Sequence, residues 1–319
     1  MKKFWLASGL LGLFAVVAQA ESGIFSSHLK YEDVALFYDV FDASSGRPTP
    51  QDLQSGYLDK GSSAVRDFIP NRIMSASALS KKIGEKPALY ENARRCFSVL
   101  PAAEKRIGAI YLAMHFILPE KELPETTILI GRGNSGLIGR GNSGGSSTPA
   151  GAVIGLEVIC ESAADDRPLD VRLAHLVAHE LAHTQQRGFD GNTVLDAALN
   201  EGVAEFIGEL VSGAPLNVAL FARANAQPGK YEQAFAADMS GEDISRWLYN
   251  GIGNDEWPGD LGYWVGYRIA KSYYEVAEDK GEAVRQMLQY TDAEAFLAAS
   301  HWTPAAALPD IPINRQTDP

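Results

Sequence analysis

His179-Glu180-Leu181-Ala182-His183 is the stretch from which the rest of this 319-residue chain is read. Histidines four positions apart lie on one helical face, about one turn from each other. Both imidazoles can then point at a single zinc ion, and Glu180 between them can reach a water on the same metal. Leu173, Val177 and Leu181 occupy the face away from the histidines, which marks that side for burial. The pattern predicts a helix from about Val171 to Arg187, prepared by Pro168 and Asp170 and followed by Gly188 as a left-handed end residue.

A catalytic zinc needs three protein ligands and one open position. Seventeen residues separate His183 from Glu201 in Asn200-Glu201-Gly202. That gap fits a turn and half of a second helix, which can return the Glu201 carboxylate opposite the imidazoles. The second helix is expected from Asn192 or Thr193 to Gly213, with Leu195, Leu199, Val203, Phe206 and Leu210 as its core stripe. Val194, Ala198, Glu201 and Glu205 form the other face, so both glutamates turn toward something polar. His175, four before His179, is the competitor for the third ligand position. Glu201 is preferred, with His175 buried behind the metal. His28, His115 and His301 have no metal-like spacing.

Outward from this pair, Thr126–Ile130 and Ala152–Cys160 are β-rich and predict a small sheet before the first metal helix. Between them Gly131-Arg132-Gly133-Asn134-Ser135-Gly136 recurs at 139–144. Each copy matches the G-x-G-x-x-G pattern of dinucleotide-binding turns, but that pattern needs a helix to start in the loop. Ser146 to Gly151 follow instead, with Pro149 among them, and the repeat reads as a loop lengthened by duplication. A third helix is expected from Gly262 to Glu278, and 282–300 reads as helical. Residues 21–125 also read as mainly helical: Val34, Phe37, Tyr38 and Phe41 form one stripe, and Ile107 to Ile117 a second that Pro119 ends. The fold class is therefore α+β, mainly helical. The expected organisation is a leader at 1–20, a helical region at 21–125, a metal-binding domain at 126–302 and a frayed Pro-rich tail at 303–319.

Lys2-Lys3, an apolar run from Phe4 to Ala18 and the Ala18-Gln19-Ala20 site have the form of a secretory signal. The run is short for a membrane span, which takes about 20 residues. A mature chain beginning at Glu21, periplasmic or secreted and without a stable membrane anchor, is the expectation. Removing Lys2 and Lys3 from the 28 basic residues leaves 26 against 40 acidic ones, a formal balance of −14. Such a chain is a poor partner for nucleic acid or anionic lipid. An oxidising compartment permits a disulfide between the two cysteines, Cys96 and Cys160, and neither lies near the metal motif.

His179-Glu180-Leu181-Ala182-His183 followed by Leu199-Asn200-Glu201-Gly202-Val203-Ala204-Glu205 resembles the gluzincin metalloprotease pattern of the aminopeptidase N and thermolysin groups. More closely, the chain resembles a bacterial family of predicted zinc-dependent proteases. The Gly-Arg-Gly-Asn-Ser-Gly segment, Ile154-Gly155-Leu156-Glu157, the two-helix metal motif and Gly262-Tyr263-Trp264-Val265-Gly266-Tyr267 carry that likeness, over roughly 126–275. The resemblance implies a gluzincin-like core and Zn²⁺ on His179, His183 and Glu201. It implies Glu180 as the base that takes a proton from water, and Glu205 as acceptor of a ligating histidine's free N–H. Aminopeptidase N-like enzymes use a downstream tyrosine to stabilise the oxyanion. Tyr263, 62 residues beyond Glu201, fits that position, and Tyr267 one turn later competes.

Gly155-Leu156-Glu157 stands where aminopeptidases recognise the substrate amine, which makes Glu157 a candidate amine anchor on an edge strand. Val158 breaks the full Gly-x-Met-Glu-Asn pattern, so an endopeptidase acting on peptides or proteins is favoured over an aminopeptidase. The rival readings are a non-proteolytic zinc-binding protein of the cell envelope that holds peptides, and a hydrolase of a non-peptide amide. The intact Glu180 argues against the first, since a structural zinc site needs no base and is usually closed by four protein ligands.

Overall fold

The computed structural model describes residues 28–133, 144–161, 167–213 and 217–306. The expected leader and most of the glycine-rich repeat, residues 134–143, lie outside these. Strand β1 (Leu29–Lys30) is followed by helices α1 (Glu32–Ala43), α2 (Pro50–Leu53), α3 (Ser63–Phe68), α4 (Ala76–Glu85), α5 (Pro87–Phe97) and α6 (Leu100–Ile117). Strands β2 (Thr126–Leu129), β3 (Gly145–Thr148) and β4 (Gly151–Gly155) come next, then helix α7 (Leu156–Glu161). The metal motif lies on α8 (Leu169–Gln185) and Glu201 on α9 (Val194–Ser212). After α10 (Val218–Asn225) and α11 (Pro228–Asp238), α12 (Leu261–Val276) packs on α9, and α13 (Lys280–Met287) and α14 (Ala293–Ser300) close the chain. The architecture is mainly helical with one small mixed sheet.

The sheet order is β1-β2-β4-β3, with β1, β2 and β4 parallel and β3 antiparallel to β4. This corrects the expected second strand. Only Gly151–Gly155 of the apolar stretch is strand, and Leu156–Glu161 is helix. A continuous apolar run fits either state, because both of its faces are buried here. β4 is also central rather than at an edge. The edge near the metal motif is β3, a strand of Gly145-Ser146-Ser147-Thr148 turned back by Pro149 and Ala150. Gly151 sits at φ +112°, and a Cβ there would stand 2.3 Å from the Glu125 carbonyl oxygen, so the turn requires glycine.

The Gly155 N–H donates to the Gly144 carbonyl. Antiparallel alternation then turns the N–H and C=O of Gly145 and Ser147 away from β4, along the free edge.

Residues 28–125 share one sheet and one apolar core with the rest. β1 pairs with β2, Tyr57 donates to the Ile130 carbonyl at 2.7 Å, and Cys96 of α5 is bridged to Cys160 of α7. The start of the expected frayed tail is docked instead: the Ala305 N–H donates to the buried Glu232, and Arg268 donates to the Ala306 carbonyl. The 282–300 segment is two helices broken at 288–292, with Asp292 capping the second. Among the described residues, no helix is long and apolar enough to cross a membrane.

Candidate metal centre

Two well-ended helices set the site. α9 opens with a reciprocal cap, the Thr193 hydroxyl accepting from the Asp196 N–H while the Asp196 carboxylate accepts from the Thr193 N–H. It closes on Gly213 in the left-handed conformation at φ 77°. α8 ends earlier than expected, at Gln185, and the connection is tied by Asn200. The Asn200 carbonyl accepts from Gln186 Nε2 at 3.0 Å, and its side chain accepts from the Phe189 N–H at 3.2 Å. The residue preceding Glu201 thus fixes the hairpin that brings Glu201 back.

His183 Nε2 lies 3.1 Å from His179 Nε2 and 3.2 Å from Glu201 Oε2. His179 Nε2 lies 3.5 Å from Glu201 Oε2. A tetrahedral zinc with bonds of about 2.0–2.1 Å sets its ligand atoms roughly 3.3 Å apart. The three atoms, two nitrogens and one oxygen, therefore fit one zinc ion. Gln186 Oε1 is 2.7 Å from His183 Nδ1. Accepting a proton there leaves the Nε2 lone pair directed at the shared point. On the other ring, Glu205 Oε2 is 3.5 Å from His179 Nδ1 and 3.3 Å from His175 Nε2. His175 is fully buried, and its Nδ1 lies 3.1 Å from Ser212 Oγ. His175, His179 and Glu205 form a second triple of metal-ligand type, but all three are buried and none but His179 lines the cleft.

That cleft, of about 400 Å³, is lined by Arg72, Gly145, Ser146, Ser147, His179, Glu180, His183, Glu201, Tyr249 and Tyr263. A larger hollow of about 960 Å³ beside the start of α9 holds no such grouping of histidines with a carboxylate. Glu180 is buried against β3, where a Cβ on Gly145 would stand 2.4 Å from Glu180 Oε1. Burial raises the Glu180 pKa, while His179, His183 and Arg72 pull it back. Burial would also raise the Glu201 carboxyl, but His183 and His179 hold it well below the usual carboxylate range. Glu205 behaves likewise, its burial outweighed by His175 and His179.

Burial alone would lower the His179 pKa. Its hydrogen bonds with Glu201 and Glu205 and the charge of Glu180 override this and push it up to about 10. The metal-free fold is therefore favoured by this proton below the unfolded value of 6.5 and loses that contribution as the pH rises through about 10. At neutral pH a zinc ion must displace it. The expected result is release of about one proton per zinc bound at pH 7, read by calorimetry in buffers of different ionisation enthalpy. Zinc uptake with no proton release would refute a proton-loaded cluster.

Tyr263 lines the cleft, its ring stacked on His179 with centroids 6.3 Å apart. Tyr267 does not reach it. It packs against Phe206 and Phe221 and is absent from the lining, so its expected role as oxyanion donor is corrected to one in the core. The four-residue step carries the ring about one helical turn along α12 and away from the metal residues. Glu157 is also corrected. It is buried on α7 outside the cleft, and its two carboxylate oxygens accept the Gly131 and Gly133 N–H groups at 2.9 Å each. It anchors the loop after β2 rather than a substrate amine.

Two residues at the site carry no sequence signal of it. Gln186 lies just past the metal helix. Tyr249, at φ +56°, donates its hydroxyl to Glu201 Oε1 and packs edge-on to Tyr263. Its backbone is held by the Asn250–Asp260 pair, in which the Asn250 N–H donates to Asp260 Oδ1 at 3.1 Å. Tyr249→Phe should weaken zinc affinity about tenfold, as loss of an outer hydrogen bond to a ligand does. Tyr263→Phe should leave zinc affinity unchanged and lower turnover. Zinc titration and turnover of both variants separate the roles, and equal behaviour would reject the distinction.

A helix hairpin carrying two histidines and a glutamate around one point, open to a cleft with a buried carboxylate beside it, is a grouping that could hold a zinc-type metal ion. The profile of the predicted Zn-dependent protease family (DUF2268) matches residues 119–298, more than half of the chain, and the chain belongs to that family. No curated protein and no solved structure matches the chain.

Proposed function

We propose that this protein is an exported peptidase of the gluzincin type with one zinc ion, acting within peptide chains. The observation that carries the reading is the convergence of His179, His183 and Glu201 beside Glu180 in an open cleft. His179, His183 and Glu201 hold the metal, with Glu205, Gln186 and Tyr249 keeping those ligands in place. Bound there, zinc polarises the scissile carbonyl and lowers the pKa of water to about 7.

Glu180 accepts the proton of the attacking water and delivers it to the leaving amine nitrogen. Its raised pKa suits both halves of that task. The Tyr263 hydroxyl donates to the carbonyl oxygen as negative charge grows there. Burial keeps the Tyr263 pKa well above its ordinary value, so the hydroxyl retains its proton at neutral pH. The outward N–H of Gly145 and the N–H and C=O of Ser147 offer a substrate backbone an edge to pair with.

Metal analysis of the purified protein should give one zinc per chain. Cleavage of an unbiased peptide mixture should follow zinc content. Glu201→Ala should strip the metal under conditions where the wild type keeps it. Full zinc occupancy in Glu201→Ala would move the third ligand to His175. A zinc-loaded wild type that leaves every peptide intact would favour the hydrolase of a non-peptide amide.

A further inference from the structure

The cleft has a wall that the family match does not include. Residues Ile69–Ile73 form a single π-helical turn after α3, and Arg72 on that turn lines the cleft with Gly145, Ser146, Ser147, Glu180 and Tyr263. Residue 72 lies well before the matched segment 119–298. We propose that Arg72 is a specificity-determining residue that binds a carboxylate on the carboxyl-terminal side of the substrate's scissile bond. The proposal rests on the peptidase reading above.

Three observations carry it. Among the described residues lining the cleft, Arg72 alone has a permanent positive charge. The Arg72 guanidinium acts on Glu180 across the cleft, and a positive group in that wall suits an anionic part of the substrate. Second, the guanidinium is placed by its surroundings. Arg72 Nη2 donates to the Gly145 carbonyl at 3.4 Å, its Cζ lies 5.9 Å from the centre of the Phe68 ring, and its own carbonyl accepts from Arg132 Nε at 3.4 Å. A guanidinium has five N–H donors in a fixed fork, and a carboxylate can be met by two at once.

The third observation is direction. β3 runs from Gly145 to Thr148, so a strand added antiparallel to it passes Thr148 first and Gly145 last. Gly145 stands against Glu180 and accepts from Arg72. A peptide paired in that sense has its amino-terminal part along Ser147, and the residues beyond the scissile bond head toward Arg72. Arg72 also covers the outward carbonyl of Gly145, which shortens the edge available past the reacting bond. A carboxylate there is either an acidic side chain just past the cleavage point, as cutting within a chain requires, or the free terminus of the peptide, which would make the enzyme trim carboxyl-terminal residues instead.

The test compares binding of three fluorescent peptides by anisotropy to zinc-loaded Glu180→Gln protein. One is an oligoalanine with a free carboxyl terminus, the second is its amide, and the third is the amide with a glutamate beside its last residue. At least one anionic peptide should bind about tenfold tighter than the neutral amide, and which one does so identifies the source of the carboxylate. Adding Arg72→Gln should reduce the difference to below about twofold, and Arg72→Lys should restore part of it, with melting curves checking the fold of each. Equal binding of all three peptides, binding of none, or a preference that survives Arg72→Gln would overturn the proposal. Equal binding on Arg72-intact protein overturns the proposal even if the variants fail to fold. Cleavage by the wild type is scored separately. An Arg72-dependent preference in a protein whose zinc-loaded wild type leaves every peptide of the unbiased mixture intact sinks the peptidase reading and leaves the carboxylate site standing.

Discussion

Glu180→Gln should keep its zinc and its fold and lose hydrolysis by about 10²–10⁴-fold, the usual worth of a positioned base. That loss corresponds to about 2.7–5.5 kcal/mol of barrier. Glutamine has the same shape, so its contact with Gly145 is preserved. It cannot take a proton from water or return one to the amine. The variant also separates chemistry from stability. Because burial raises the Glu180 pKa, its ionised form opposes folding of the metal-free protein above 4.5, and removing the charge should not lower the melting temperature. Turnover, zinc content and melting measured together test this. Retained hydrolysis would remove Glu180 from the proposed chemistry, and lost zinc would mean that the glutamate belongs to the ligand set.

The second large effect lies behind the site. α9 and α12 cross with Gly202 against Gly266. A Cβ on Gly266 would stand 1.9 Å from the Ala198 carbonyl oxygen, and one on Gly202 2.1 Å from the Gly266 carbonyl carbon. Both obstacles are backbone, so no side chain can move aside. Gly266→Ala would have to separate the helices by roughly 1.5 Å to reach ordinary contact. The expected cost is more than about 3 kcal/mol, the upper range for overpacking in a core. Tyr263 rides on α12 and Glu201 on α9, so a surviving fold would also bind zinc more weakly. Thermal unfolding and zinc titration of Gly266→Ala measure both effects. Wild-type values would show that the helices do not cross at these glycines.

This crossing explains one difference between sequence and structure. The spacing of Leu195, Leu199, Val203 and Phe206 marks a core face of α9, and the other face reads as polar because it carries Glu201 and Glu205. In the fold that face is buried too, with both glutamates, Val194 and Ala198 enclosed. The two glycines bring α12 close enough to cover it. The ends of α9 were legible because Thr193, Asp196 and Gly213 use local chemistry, and so was the His179–His183 face. β3 was not, since Gly-Ser-Ser-Thr has little strand preference, and only the Pro149-Ala150-Gly151 turn hints at a hairpin. Arg72 and Tyr249 reach the cleft through tertiary approach, which no periodicity records. Tyr263 and Tyr267 share one helical stripe, and only the position of α12 tells which ring meets the metal residues.

The covalent tie between α5 and α7 has a bearing on how the molecule can be divided. One sulfur belongs to residue 96, ahead of the family-matched segment, and the other to residue 160 within it. A fragment beginning at 126 would keep all three candidate metal ligands. It would also present an orphan thiol, bare the flank of β2 that β1 covers, and lack the arginine on the cleft wall. Such a trimmed protein should take up zinc yet aggregate and cut indiscriminately, if at all. Residues 28–125 thus belong to the working machinery rather than to a detachable appendage.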